Sequence, residues 1–140
     1  MIYAADFEDA HERHWEDAEY LSAARRWANA DQLYGFSAEC GLKSLMQNLG
    51  MLVRPDGAPE ERAHRVHIEE LWNVFDQFAA QRGAGALLAQ LPGGEPFSDW
   101  SHHNRYASRG NFDEAYVEPH RRAASEVRLM VQWAAQGGTP

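Results

Sequence analysis

Cysteine occurs once in the 140 residues, at Cys40, so an internal disulfide is excluded. The place of Cys40 inside an apolar helical run marks it as a small buried side chain rather than a reactive thiol, and a reducing compartment follows. Long hydrophobic runs are missing as well. None approaches the roughly 18 apolar residues of a spanning helix, and "MIYAADFEDAHERHWED" offers neither a basic nor an apolar leader region, so the reading is cytoplasmic with no membrane partner. Positive charge is scarce, at 13 Lys and Arg against 21 Asp and Glu. A formal net charge of -8 argues against strong nonspecific affinity for nucleic acid, which comes from basic groups displacing counterions, but permits a local basic patch. Convincing period-two alternation is absent, as are internal repeats and low-complexity tracts, and this removes sheet and solenoid architectures.

What is present is helical periodicity. From Phe7 to Trp27 the positions Phe7, Trp15, Ala18, Leu21 and Ala24 recur near helical spacing, with acidic residues gathered at the start. In "WANAD", Asn29 and Asp31 are alternative N-caps of a second helix. Its stripe runs through Tyr34, Ala38, Leu42, Leu45, Met46 and Leu49 to Gly50. Were the helix already formed there, Asp31 would fall in the middle of this stripe, a conflict that a capping role resolves. Gly35, Ala38 and Gly41 leave a small-residue face for the close approach of a neighbour. Residues 53–62 hold Pro55, Asp56, Gly57 and Pro59 and read as a turn-rich connection. A third helix runs from about Val66 to Arg82. "ALLAQL" is a short apolar turn, "PGGEPFSDW" a second break, and the last helix spans roughly Asp113 to Ala135, with Pro119 in its first turn or at a kink. The tail "QGGTP" reads as frayed. The result is a single all-α domain over residues 1–140, an up-and-down four-helix bundle with one or two short extra helices.

Charge is asymmetric. Arg105, Arg109, Arg121, Arg122 and Arg128 lie in the last third while seven carboxylates crowd the first twenty residues, so two subunits or two faces can be complementary. Glu39 and Lys43 sit one turn apart at the edge of the apolar stripe of helix two, in the favourable orientation for an intrahelical pair.

The order "ADQLYGFSAECGLKSLM", then "HRVHIEELW", then "WSHHNRY" resembles the HEPN family of small all-α domains. The resemblance is carried by Ala38, Glu39, Leu42, Lys43, His67, Leu71, Arg105 and Tyr106 and covers most of residues 15 to 135. It implies a HEPN-like bundle, a homodimer, and a nucleotide- or RNA-binding role or partnership with an antitoxin or nucleotidyltransferase protein, with no cofactor. Many HEPN members cleave RNA through an arginine followed four to six residues later by a histidine near the last helix. That pairing suits the chemistry, since a histidine moves the 2′-hydroxyl proton while an arginine holds the phosphate. Here Arg105 and Arg109 have no such histidine after them, and His102 and His103 precede them. The only match, Arg62 to His67 in "RAHRVH", falls before helix three, the wrong place, so the resemblance implies a noncatalytic member with Arg62 and His67 as residual catalytic candidates.

Two further constellations remain. His11 and His14, with His64 and His67, are i,i+3 pairs able to converge on a metal, although "HERH" is not the zincin pattern and an exposed histidine face is the plainer reading. In "DWSHHNRY", Trp100 and Tyr106 can stack a base, with His102, His103, Arg105 and Arg109 on phosphate. Alternatively both aromatics bury against the last helix while Arg105 pairs with Glu39 or Asp31. The second arrangement is preferred, with Glu39, Lys43, His102, His103, Arg105, Tyr106 and Arg109 forming the rim of a binding cleft.

Overall fold

The computed structural model describes residues 2–137. Five α-helices follow one another in it: α1 (Phe7–Ala23), α2 (Trp27–Asn48), α3 (Ile68–Gln81), α4 (Gly85–Leu88) and α5 (Glu114–Ala135). Short 3₁₀ turns cover Arg62–His64, His102–Tyr106 and Arg109–Asn111, and no strand is present among the described residues. The all-α expectation holds, and "ALLAQL" contains the one-turn α4. The part of "QGGTP" from residue 138 onward lies outside the described residues.

Capping explains two of the starts. Asp6 accepts from the Asp9 amide at 3.0 Å and Asp113 accepts from the Tyr116 amide at 2.8 Å, each filling an orphan donor of a first turn. Pro119 lies inside α5, beyond its first turn, so the carbonyl one turn before it loses its helical donor.

The break between α1 and α2 comes earlier than periodicity predicts. The Arg25 amide donates to the Ser22 carbonyl and the Arg26 amide to the Leu21 carbonyl, a Schellman closure in which Arg25 takes the left-handed conformation at φ 59. With α2 starting at Trp27, neither Asn29 nor Asp31 is a cap. Asp31 is one turn inside the helix, fully buried, so the conflict noted in the sequence is real and must be met by a partner.

Helix α2 is the axis of the molecule, packed by α1, α3 and α5, and its buried positions include Ala30, Tyr34, Ala38, Leu42, Leu45 and Met46. Two of its glycines are required by close approach. A Cβ on Gly41 would lie 2.7 Å from His11 Nδ1 and 2.5 Å from Val127 Cγ1, so α1 and α5 both close on it. At Gly35 the intruder is the Trp100 indole, from the 89–113 connection rather than from a helix.

The charge asymmetry is satisfied inside the chain. Arg121 makes a bidentate pair with Glu19 at 2.8 and 2.9 Å, and Arg128 reaches Glu12 at 2.8 Å, so two arginines of the last helix clamp the acidic first one. Complementarity between two faces is thereby met without a second subunit.

Candidate functional site

The partner of Asp31 is His120, a fully buried residue of α5. Its Nδ1–H donates to Asp31 at 2.6 Å while Nε2–H donates to Asp99 at 2.7 Å. Phe97 stacks on the imidazole at 5.4 Å between centroids, and Tyr116 meets it edge-on at 5.2 Å. The surrounding connection is tied down through its backbone. The Trp100 indole donates to the Asp31 carbonyl at 2.9 Å, Gln32 donates to the Ser101 carbonyl at 2.8 Å, and the Tyr116 hydroxyl donates to the Asp99 carbonyl.

Burial alone would lower the His120 pKa, but the hydrogen bonds and charges of Asp31 and Asp99 outweigh it and raise it. A neutral imidazole has one N–H and cannot donate to two carboxylates, so this geometry belongs to the imidazolium. Desolvation pushes the other way on Asp31, raising its pKa, with His120 opposing. The short contacts on both ring nitrogens favour the ion pair as the resting form. Because both nitrogens are engaged, His120 has none left for a substrate proton, and the knot is a latch.

The second cluster gathers residues anticipated from the sequence. Glu39 accepts from Lys43 Nζ at 3.1 Å and, through its other oxygen, from His67 Nδ1 at 2.9 Å. Lys43, the only lysine of the chain, is nearly buried. Glu69 accepts from His102 Nδ1 at 3.3 Å. The imidazoles of His67, His102 and His103 then form a row with centroids 4.2 and 4.1 Å apart. Beyond it, Arg105 donates to the His102 carbonyl at 2.7 Å and lies over the Tyr106 ring, 4.6 Å from its centroid. The hydrogen bond that His67 donates to Glu39 raises its pKa against partial desolvation. With Nδ1 anchored on a carboxylate, the Nε2 of His67 and of His102 is left for other partners.

Several expectations are corrected here. Arg105 pairs with neither Glu39 nor Asp31, because the turn at His102–Tyr106 sends it along its own backbone; Lys43 and His67 balance Glu39. Trp100 and Tyr106 part ways, Trp100 being buried against Gly35 and Tyr106 77% exposed. His67 occupies the N-cap position of α3, yet its side chain makes no capping bond. Arg62 shares no hydrogen bond or ion pair with it.

The histidine pairs do not converge. His11 is buried with its pKa lowered by desolvation, and its Nδ1 donates to the Ser37 carbonyl at 2.7 Å. Burial likewise lowers His14, whose ring lies 5.7 Å from that of Phe36. His64 lies edge-on to Phe78 at 5.3 Å. No group of three or more His, Cys, Asp or Glu able to hold a metal occurs among the described residues.

Sequence reasoning passed over His120 and Asp99. A histidine nearly two turns into a helix beside Pro119 looks ordinary, and the one available signal was the misplaced Asp31. Arg109 was anticipated at the rim but stands apart from the histidine row, at a cavity beside the α1–α2 turn.

Compared with protein-family models, curated proteins and solved structures, the chain matches none.

Proposed function

We propose that this chain is a HEPN-like helical module that acts as a homodimer and binds RNA or a nucleotide without cleaving it, or serves as the partner of an antitoxin or nucleotidyltransferase protein. The observation that carries the reading is the surface row of His67, His102 and His103, continued by Arg105 over the exposed Tyr106 ring. Flat faces alternating with cationic groups suit single-stranded bases and their phosphates, and the affinity has to be local because the chain as a whole is acidic. Fluorescence anisotropy with a mixed-sequence single-stranded RNA tests it. Binding should weaken with salt, and Tyr106→Ala should cost about 1–3 kcal/mol of affinity, the value of one stacked base. Affinity unchanged by both Tyr106→Ala and Arg105→Ala would remove the reading. Sedimentation equilibrium at micromolar concentration tests the dimer, and a clean 15.9 kDa monomer refutes it.

One observation favours a metal-independent endoribonuclease instead. His67 and His102 are adjacent imidazoles, each with Nδ1 on a carboxylate and Nε2 unengaged, as an acid and base pair requires. No arginine is paired with them in the manner of the family motif, so the expected result is no cleavage of a mixed RNA pool at stoichiometric protein. Products with 2′,3′-cyclic phosphate ends, lost in a folded His67→Ala or His102→Ala protein, would replace the binding reading with the enzymatic one.

A further inference from the structure

Arg25, Arg26 and Arg109 line one cavity of about 460 Å³, between the α1–α2 turn and the 3₁₀ turn at Arg109–Asn111. The volume is within the range of small-molecule sites. No carboxylate among the described residues lies within ion-pair distance of any of the three, as is also true of six other arginines, whereas Arg54 and Arg128 each hold one and Arg121 holds two. Three guanidinium groups around one concavity make it locally positive in a chain with 21 acidic residues. A bound anion would neutralise that charge, and the guanidinium fork matches phosphate oxygens.

Two further features bear on which anion. The cavity walls include the half-buried Trp27 and the buried Phe112, flat apolar surfaces beside the charge. The first residues of α2, Trp27 to Asn29, also line it, and the residue at its N-cap makes no side-chain hydrogen bond to the first-turn amides, which leaves the positive end of the helix beside the cavity. Arginines give the charge, the amides add to it, and the aromatics suit a nucleoside.

We propose that this cavity binds the terminal phosphate of a nucleotide, with Arg25, Arg26 and Arg109 on the phosphate and Trp27 and Phe112 beside the nucleoside. The nucleoside part rests on the function proposed above; the phosphate part stands on the cavity alone. A free nucleotide and the 5′ end of an RNA both present this chemistry.

The test titrates the full chain with AMP, adenosine, inorganic phosphate and an RNA hexamer with or without a 5′-phosphate, following the Trp27 indole N–H and arginine Nε–H resonances together with calorimetric affinity. AMP should shift Trp27 and adenosine should not. The 5′-phosphorylated hexamer should bind about tenfold more tightly than its 5′-hydroxyl form, as expected for charge-assisted bonds to one phosphate. Arg25→Gly is the informative variant, because glycine suits the left-handed position and so removes the guanidinium without harming the fold; Arg109→Ala, on an exposed turn, is the second. Both should abolish the preference for the 5′-phosphate, whereas Arg54→Ala, which removes an exposed arginine already paired with Asp56, should keep it. AMP binding without any RNA binding would support the cavity and overturn the RNA reading. RNA binding that ignores the 5′-phosphate and depends on Tyr106 would do the reverse. A Trp27 resonance equally indifferent to AMP and inorganic phosphate, or a phosphate preference that survives both arginine variants, overturns the proposal.

Discussion

Replacing His120 with glutamine should be among the most damaging single changes in this protein. Among the described residues of the wild type, His120 is the only side-chain partner of Asp31 Oδ1, and Asp31 Oδ2 has none. Glutamine carries one amide donor group in place of two opposed ring N–H donors and no positive charge, so Asp31 would be left as a buried, uncompensated carboxylate. Removing one partner of a buried ion pair costs about 3–5 kcal/mol, against a total stability of about 5–15 kcal/mol for a domain of this kind. The same geometry sets a pH dependence. A raised folded-state pKa means the folded protein holds the His120 proton more tightly than the unfolded chain does. The resulting stabilisation is complete below the ordinary value of 6.5 and is lost as pH rises through the higher folded value. Urea unfolding should therefore show the wild type less stable at pH 9 than at pH 6, with the difference absent in His120→Gln. The double variant with Asp31→Asn should regain part of the loss by removing the stranded charge. A cost for His120→Gln below about 1 kcal/mol, the value of an ordinary hydrogen bond, or a wild-type stability that does not fall above pH 6.5, would refute the imidazolium latch.

Other outcomes follow from neighbouring packing and charge. Gly35→Ala places a methyl group against the Trp100 indole, and thermal or urea unfolding should register about 1–3 kcal/mol of overpacking, with Trp100 fluorescence shifted toward that of exposed indole. Glu39→Ala should destabilise by about 1–3 kcal/mol because it strands the nearly buried Lys43; the accompanying fall in the His67 titration midpoint is measurable by NMR, and a cost of a few tenths would identify the pair as exposed decoration. Cys40 is half-buried, and burial raises its thiol to about 12, so a thiol reagent at pH 8 should modify it only as the protein unfolds.

The helices were legible because their periodicity depends on neighbours three and four residues away, and the Glu39–Lys43 pair was legible for the same reason. The α1–α2 boundary was not, since the turn uses arginine where glycine is the usual signal, and "WANAD" supplies attractive false caps. Asp31 was visible as an anomaly but not as half of a pair, its partner lying 89 positions away on a helix whose own pattern gave no hint. Short 3₁₀ turns decide the fate of "DWSHHNRY". They bury Trp100 and expose Tyr106, and they turn Arg105 toward its own backbone, a choice that residue types six apart cannot encode.

The latch also orders events in time. The α1–α2 hairpin closes over a few residues and has little loop entropy to overcome, whereas the bonds from His120 to Asp31 and Asp99 join three segments across most of the chain. Until α5 arrives, Asp31 has no counter-charge and the hairpin's centre has reason to stay hydrated. Docking of the last helix is expected to come late, and latch substitutions should then act mainly by accelerating unfolding, as the unfolding arm of a chevron plot would read. The same docking fixes the connection that carries His102 and Phe112, since Asp99 precedes the first by three residues and Tyr116 touches both His120 and the second.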